Sequence, residues 1–177
     1  NIFTAIGRGE WLRFQGRGAP YQLESVLNAV EVLSGRQRGA LIVFSRQVGL
    51  KNIIETGTKL NADITSSLVL TIFGHDTPLH DGAIILQGRK MLSAGSFLPL
   101  SEQSDIRRSF GTRHRAALGL AEETDAIVVI VSEETGAISL AYDANLYYDL
   151  GVEEVRASLR RLLNIRDGVE EVSAFES

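Results

Sequence analysis

The amino-acid sequence predicts an α/β (α+β) fold: one domain in which a central mixed β-sheet is flanked by helices. Three observations support this prediction. The 177 residues fit the usual size of one domain. Segments with the apolar spacing of amphipathic helices alternate with short apolar segments rich in valine and isoleucine, as in sheets covered by helices. Some of these apolar segments are separated only by short turns, which predicts antiparallel hairpins within the sheet.

The composition excludes several classes of protein. With 44% hydrophobic and 23% charged residues, the chain is typical of globular domains rather than disordered ones. It has no cysteine, which excludes disulfides and thiolate metal sites. The net charge of −4 argues against nucleic acid as a partner for the whole surface. No apolar run reaches the roughly 18 residues of a membrane-spanning helix.

The chain is organised as one domain between two flanking segments. Residues 1–20 are rich in glycine and arginine, which predicts a basic linker. The domain spans 21–166, and residues 167–177 are predicted to form an acidic, flexible tail. Because the first residue is Asn1 rather than Met, we expect the chain to be a fragment of a longer protein.

The N-terminal half of the domain contains two predicted helices and one predicted strand. Apolar residues with helical spacing predict the first helix over 21–33. The apolar segment 39–45 predicts a buried strand. The second helix is predicted over 62–73, with Asn61 or Asp63 as its N-cap.

The C-terminal half contains two predicted hairpins, two longer helices and a polar segment with a short helix. Its strongest strand is the continuous apolar run at 126–132. In chain order the predicted elements are strands 83–87 and 91–98, a short helix within 101–110, a helix over 112–121, strands 126–132 and 137–142, and a helix over 152–163.

A first candidate site precedes the predicted strand 83–87. There, His80 and Asp81 place an imidazole beside a carboxylate, ligands that suit Mg²⁺ or, with the imidazole, Mn²⁺. Gly82 would let a ligand approach the backbone. The same residues also suit a turn that begins at Pro78 and is closed by Asp-Gly, and both interpretations stand at this point.

A second candidate site is the start of the predicted helix over 112–121. Free backbone N–H groups and the helix dipole attract phosphate at such a position. Arg113 and Arg115 would add guanidinium donors, and Thr112 a hydroxyl. The alternative is a solvated basic turn without a ligand.

A third candidate site follows the strongest strand, where ligands often bind in α/β sheets. Ser132 could donate to a phosphate, and Glu134 could join a metal ion's ligands. The alternative is a plain hairpin loop in which the acidic residues face water and Gly136 takes a positive φ.

These three segments together resemble the diadenylate cyclase (DAC, DisA-N-like) family. Asp81-Gly82-Ala83 and Arg113-His114-Arg115 match the two named motifs of that family. The resemblance extends from about residue 23 to residue 163. It includes the segments 39–42, 54–57, 78–83, 98–101, 111–117 and 131–136.

The resemblance implies an enzyme that joins two ATP molecules into cyclic di-AMP with Mg²⁺ or Mn²⁺, in a homodimer whose two domains face each other. It also implies a sheet of seven strands. The chain is most similar to the membrane-anchored CdaA type, which implies preceding transmembrane helices and a location at the cytoplasmic face of the cell membrane. Regulation by a YbbR-domain protein and by a phosphoglucosamine mutase is implied as well.

The resemblance further implies roles for individual residues. The catalytic motifs comprise Asp81, Gly82, Ala83, Arg113, His114 and Arg115. The ATP-binding residues are Leu41, Phe97, Leu98, Gly111, Thr112, Arg113 and Ser132. The metal ligands are Asp81, His80 and Glu134. Related cyclases often have tyrosine near the adenine where this chain has Phe97, which keeps the ring and lacks the hydroxyl.

Two other functions stay open on these residues. A non-catalytic nucleotide sensor would use the same phosphate site but would not need the metal ligands. A metal-dependent phosphohydrolase would use His75 and Asp76 together with His80 and Asp81, although the HExxH spacing of helical metal sites does not occur.

Overall fold

Seven strands form one mixed sheet in the computed structural model, which describes residues 22–104 and 110–165. The strands are β1 Ala40–Phe44, β2 Thr58–Asp63, β3 Ala83–Gln87, β4 Lys90–Ser96, β5 Ile127–Val131, β6 Ile138–Tyr142 and β7 Asn145–Leu150. The helices are α1 Leu23–Gly35, α2 Lys51–Glu55, α3 Ser66–Ile72, α4 Thr112–Glu123 and α5 Val152–Leu162. The predicted fold class and the seven strands are therefore confirmed.

The order of the strands brings several of their ends together. In the sheet they lie in the order β2-β4-β3-β1-β5-β6-β7, with β1 and β3 parallel and the other neighbours antiparallel. Ala40 pairs with Val131, and Ala83 pairs with Ser96. The starts of β1, β3 and β6 therefore lie beside the ends of β4 and β5. We call this the Gly39 end of the sheet, after the residue that precedes β1.

Helices cover both faces of the sheet, so its central strands are buried. In β1, Ala40, Ile42 and Phe44 pack on the side of α1, α3 and α5. Leu41 and Val43 pack on the side of α2 and α4. This alternation follows from the two-residue period of a strand, and burial on both faces explains the continuous apolar sequence. Within the described residues, no helix combines the length and the apolar character needed to cross a membrane.

The prediction of a helix over 62–73 is wrong in its first part. Residues 58–63 form the edge strand β2, which pairs with β4, and Lys90 Nζ lies 2.8 Å from Asp63 Oδ1. The helix α3 begins only at Ser66, and its N-cap is Thr65, whose side chain accepts the Leu68 N–H. Neither Asn61 nor Asp63 is therefore the cap.

Other differences concern short or polar segments. The strand β7 and the five-residue helix α2 were not predicted, because neither has a long apolar period. The helix predicted within 101–110 does not form over 101–104, and 105–109 lie outside the described residues. The predicted linker (1–20) and acidic tail (167–177) also lie outside them.

Candidate functional site

All three predicted sites lie at the Gly39 end of the sheet. Asp81 and Gly82 lead into β3, and Ser132 follows β5, whose last residue pairs with the first residue of β1. The helix α4 begins beside them, because the Arg113 side chain lies against Gly39. Segments that are far apart in the sequence are therefore neighbours in space.

His80 is oriented toward Asp81 by a backbone contact. Its Nδ1 lies 2.6 Å from the carbonyl oxygen of Thr77. Because a carbonyl oxygen only accepts, Nδ1 carries the hydrogen and Nε2 of the neutral ring keeps its lone pair. Nε2 lies 3.8 Å from Asp81 Oδ1, and the Asp81 side chain is 84% exposed. An imidazole held by a backbone carbonyl in this way is typical of histidines that bind metals.

The predicted third metal ligand is not part of this pair. Glu134 is exposed in the β5–β6 loop, and no group of three histidine or acidic residues able to hold a metal ion occurs within 22–104 and 110–165. The single carboxylate of Asp81 nevertheless fits Mg²⁺, which is commonly held by one or two carboxylates together with substrate phosphates, and the imidazole of His80 favours Mn²⁺. The His80–Asp81 pair therefore suits a divalent cation that binds with a phosphorylated ligand.

Gly82 and Ala83 support the strand pairing beneath this pair. Gly82 has φ +113°, and a Cβ there would lie 2.8 Å from backbone atoms of Gly95 and Ser96. The position of a Cβ is thus filled by β4, which explains the need for glycine, and the approach of a ligand to this backbone stays a prediction. Ala83 is completely buried against the core on the α4 side. Because Gly82 packs against β4 and Ala83 is buried in the core, the backbone that follows Asp81 is fixed in place.

Arg113 is fixed from two sides. Its Nη1 lies 3.0 Å from Glu133 Oε2, in the loop after β5. Its guanidinium also lies where a side chain of residue 39 would be, so only glycine leaves room for it. The Arg113 side chain is 22% exposed, and that of Glu133 is 68% exposed. Sequence reasoning missed both Gly39 and Glu133, although a glycine directly before a buried strand was a visible signal.

His114 is buried and does not face the solvent. It is 5% exposed and stacks on Phe110, with ring centroids 5.2 Å apart. Burial lowers the pKa of His114, and the neighbouring charge of Arg113 lowers it further. Its Nε2 has no hydrogen-bond partner within the described residues. The ring is therefore neutral near pH 7 and supports the start of α4 from inside.

The remaining residues of the helix start are open to ligands. Gly111 and Thr112 are exposed, and Gly111 gives the helix no side-chain cap. Arg115 is half-buried, and its carbonyl accepts the Ser101 N–H at 3.0 Å. Uncapped N–H groups beside two arginines form a site for an anion such as phosphate.

Ser132 closes the turn between β5 and β6. Its Oγ accepts the Thr135 N–H at 3.3 Å, and its carbonyl accepts the Gly136 N–H at 2.9 Å. Gly136 has φ +76° and lies close to the Ser34 carbonyl. The predicted hairpin and the positive φ of Gly136 are therefore confirmed, and the Ser132 hydroxyl keeps its own hydrogen for a further acceptor. Ligand binding by Ser132 and Glu134 stays a prediction.

The residues predicted to contact the base differ in exposure. Leu41 is 4% exposed within the core, Leu98 is partly buried against the same apolar cluster, and Phe97 is 65% exposed. The Phe97 N–H donates to Thr56 Oγ1 at 2.9 Å. Phe97 is thus the one of the three that presents a ring to the surface, at the end of β4.

Comparisons with known proteins point to one family. A family model described as DisA bacterial checkpoint controller nucleotide-binding matches residues 27–146. A diadenylate cyclase of Listeria monocytogenes is 44% identical over 163 residues, which cover 92% of this chain and 58% of that protein. The cyclic di-AMP synthase CdaA of Bacillus subtilis is 40% identical over 160 residues, covering 87% of this chain and 58% of that protein. The chain thus spans less than two thirds of these relatives.

Solved structures agree with these relatives. A double mutant of DacA from Staphylococcus aureus superimposes with a TM-score of 0.78 at 46% identity, covering 79% of this chain and 93% of that one. A hypothetical membrane spanning protein from Bacillus cereus gives a TM-score of 0.72 at 40% identity, covering 78% of this chain and 69% of that one.

Proposed function

Because the chain belongs to the diadenylate cyclase (DAC) family, we propose that it condenses two ATP molecules into cyclic di-AMP and releases two pyrophosphates. One structural observation carries this proposal. The His80–Asp81 pair and the helix start at 111–115 lie at the same end of one sheet. Ligands for a cation and donors for a phosphate chain are thereby available to a single nucleotide.

The helix start at 111–115 would bind the β- and γ-phosphates of ATP. The uncapped N–H groups at the start of α4 would donate to the anion, and the dipole of this twelve-residue helix favours negative charge. Arg113 and Arg115 would donate to the phosphate oxygens, and Thr112 and Ser132 would add hydroxyl donors. Phe97 and Leu98 would contact the base, with Leu41 behind them.

The His80–Asp81 pair would hold the divalent cation, Mg²⁺ or Mn²⁺, through Nε2 and the carboxylate. A bound cation would neutralise charge at the α-phosphate and lower the pKa of the attacking 3′-hydroxyl. The negative charge of Asp81 would also favour loss of the proton from that hydroxyl. Glu134 as an additional ligand stays a prediction. Phosphoryl transfer depends mainly on this positioning and charge stabilisation.

Ring closure requires two copies of the chain. Each copy offers one site, and each ATP must supply a 3′-hydroxyl to the α-phosphate of the other. Two domains facing each other about a two-fold axis satisfy both requirements. Specific activity should therefore rise with protein concentration, and a constant specific activity down to nanomolar protein would contradict the dimer.

Product analysis after incubation with ATP and Mn²⁺ tests the proposed activity. Cyclic di-AMP and pyrophosphate are the expected products. Unchanged ATP despite binding would indicate a nucleotide sensor, and ADP or AMP would indicate a phosphohydrolase. The hydrolase has less support, because the matching family model and the similar proteins named diadenylate cyclase or cyclic di-AMP synthase favour a cyclase.

Attachment to the cytoplasmic face of a membrane is proposed only for a longer protein containing this chain. The support comes from its similarity to CdaA of Bacillus subtilis and to the Bacillus cereus protein described as membrane spanning. A YbbR-domain protein and a phosphoglucosamine mutase stay predicted partners.

A further inference from the structure

Tyr148, in the edge strand β7, contacts two aromatic residues of the phosphate-binding segment. Its ring centroid lies 4.9 Å from that of Phe110 and 5.8 Å from that of His114. Phe110 and His114 themselves stack at 5.2 Å with an interplanar angle of 25°. These three rings, which we call the aromatic cluster, connect β7 to the start of α4.

Two residues of the aromatic cluster, Phe110 and His114, flank the residue at which α4 begins. Phe110 directly precedes Gly111, and His114 stands between Arg113 and Arg115. Gly111 is the N-cap of α4 and gives no side-chain hydrogen bond to the first turn. A glycine without such a bond leaves the backbone conformationally free. Contacts on both sides of it must therefore fix the N–H groups that would bind phosphate.

From this geometry we infer that Tyr148 is a positioning residue for ATP, acting through Phe110 and His114. The inference rests on the proposed function, since it concerns the same phosphate site. Tyr148 packs against the two rings that bracket Gly111. Without the Tyr148 ring, Phe110 and His114 lose their packing contact with β7. The start of α4 then samples conformations that do not fit the triphosphate.

The neighbouring residue Tyr147 offers a matched control. It is 39% exposed, against 40% for Tyr148, and lies on the same edge strand. Because successive residues of a strand face opposite sides, its ring packs elsewhere. It stacks on Tyr142 with centroids 4.7 Å apart. Removing either ring therefore deletes a side chain of the same size from β7, but of the two tyrosines only Tyr148 contacts Phe110 and His114.

The test compares Tyr148→Ala, Tyr148→Phe and Tyr147→Ala with the unmodified chain. Binding is measured by calorimetry with 3′-deoxy-ATP and Mn²⁺, which cannot cyclise, and kcat and KM are measured with ATP. We expect Tyr148→Ala to weaken binding and raise KM by about tenfold, which corresponds to the loss of one or two aromatic contacts. Tyr148→Phe and Tyr147→Ala should both show the affinity for 3′-deoxy-ATP and the KM of the unmodified chain.

Three results would overturn the inference. Equal binding by Tyr148→Ala and the unmodified chain would refute it while leaving the proposed function intact. A lower melting temperature for both alanine variants without a change in KM would show that Tyr148 serves only the stability of β7. Failure of the unmodified chain to bind 3′-deoxy-ATP would refute the inference together with the proposed function.

Discussion

The two halves of the candidate site are built differently. Arg113 is 22% exposed, is bonded to Glu133 and lies against Gly39, and the adjacent His114 is buried. The Asp81 side chain, in contrast, is 84% exposed and stands beside an imidazole whose Nε2 keeps its lone pair. The proposed phosphate donors are thus held by contacts within the protein, whereas the proposed cation ligands are exposed.

Replacing Asp81 by asparagine should break only the acidic half and should have the largest effect. Asparagine keeps the size of the side chain but removes its charge, so the cation loses a ligand. We expect turnover to fall by about 10³-fold, as when one essential group of a site is removed, while ATP binding changes far less. Calorimetry and product assays measure the two separately. Turnover at the unmodified rate would mean that Asp81 has no catalytic role.

Replacing Gly39 by alanine should break only the arginine half. The added methyl group occupies the place of the Arg113 guanidinium and displaces it. We expect kcat/KM to fall by about 10²-fold, because small misplacements of a positioning group are costly. Gly35→Ala is the matched control, since nothing lies within 4 Å of a Cβ at residue 35. Equal kinetics in the two variants would show that this contact does not position Arg113.

The buried His114 should make stability depend on pH below its ordinary pKa. Its pKa is lowered in the folded chain by burial and by Arg113, so below about pH 6.5 the unfolded chain binds more protons. Stability should therefore fall on acidification from pH 6.5 toward the lowered value, by at most about 1.4 kcal/mol per pH unit.

A His114→Phe variant checks this pH dependence because it keeps a stacked ring that cannot be protonated. Chemical denaturation at pH 7.5 and pH 5.5 should show a smaller loss of stability for this variant than for the unmodified chain. The same loss of stability in both proteins would contradict the assignment of the pH dependence to His114.

Replacing Glu133 by glutamine should have the smallest effect of these substitutions, a modest change in ATP affinity. The glutamine side chain can still accept from Arg113 but no longer repels a triphosphate. We expect ATP to bind about threefold more tightly at low salt, with the difference shrinking at high salt. Glu123→Gln, at the exposed end of α4, controls for the loss of one negative charge. Weaker binding would show that the charge of Glu133 is needed to orient Arg113.

The sequence predicts those parts of the fold that have a local signature. The apolar runs became β1 and β5, and the helical spacing became α1, α4 and α5. Residues 62 and 63 were mistaken for helix, and the rest of the edge strand β2 was not predicted, because pairing with β4 rather than the polar sequence stabilises this strand.

The sequence predicted the motif residues of the candidate site but not the residues that hold them in position. His80, Asp81 and Arg113 stand in recognisable local patterns. The roles of Gly39, Glu133 and Tyr148 arise from contacts between segments that only the strand order brings together. Such contacts leave no periodic trace in one sequence, since they depend on which strands pair.

The central claim is that one triphosphate contacts both halves of the site. A crystal structure with 3′-deoxy-ATP and Mn²⁺ tests it most directly, because the manganese position is visible by anomalous scattering. We predict manganese beside His80 Nε2 and the Asp81 carboxylate, and the β- and γ-phosphates of the same nucleotide at 111–115. A triphosphate bound away from Arg113, or manganese distant from Asp81, would contradict this account.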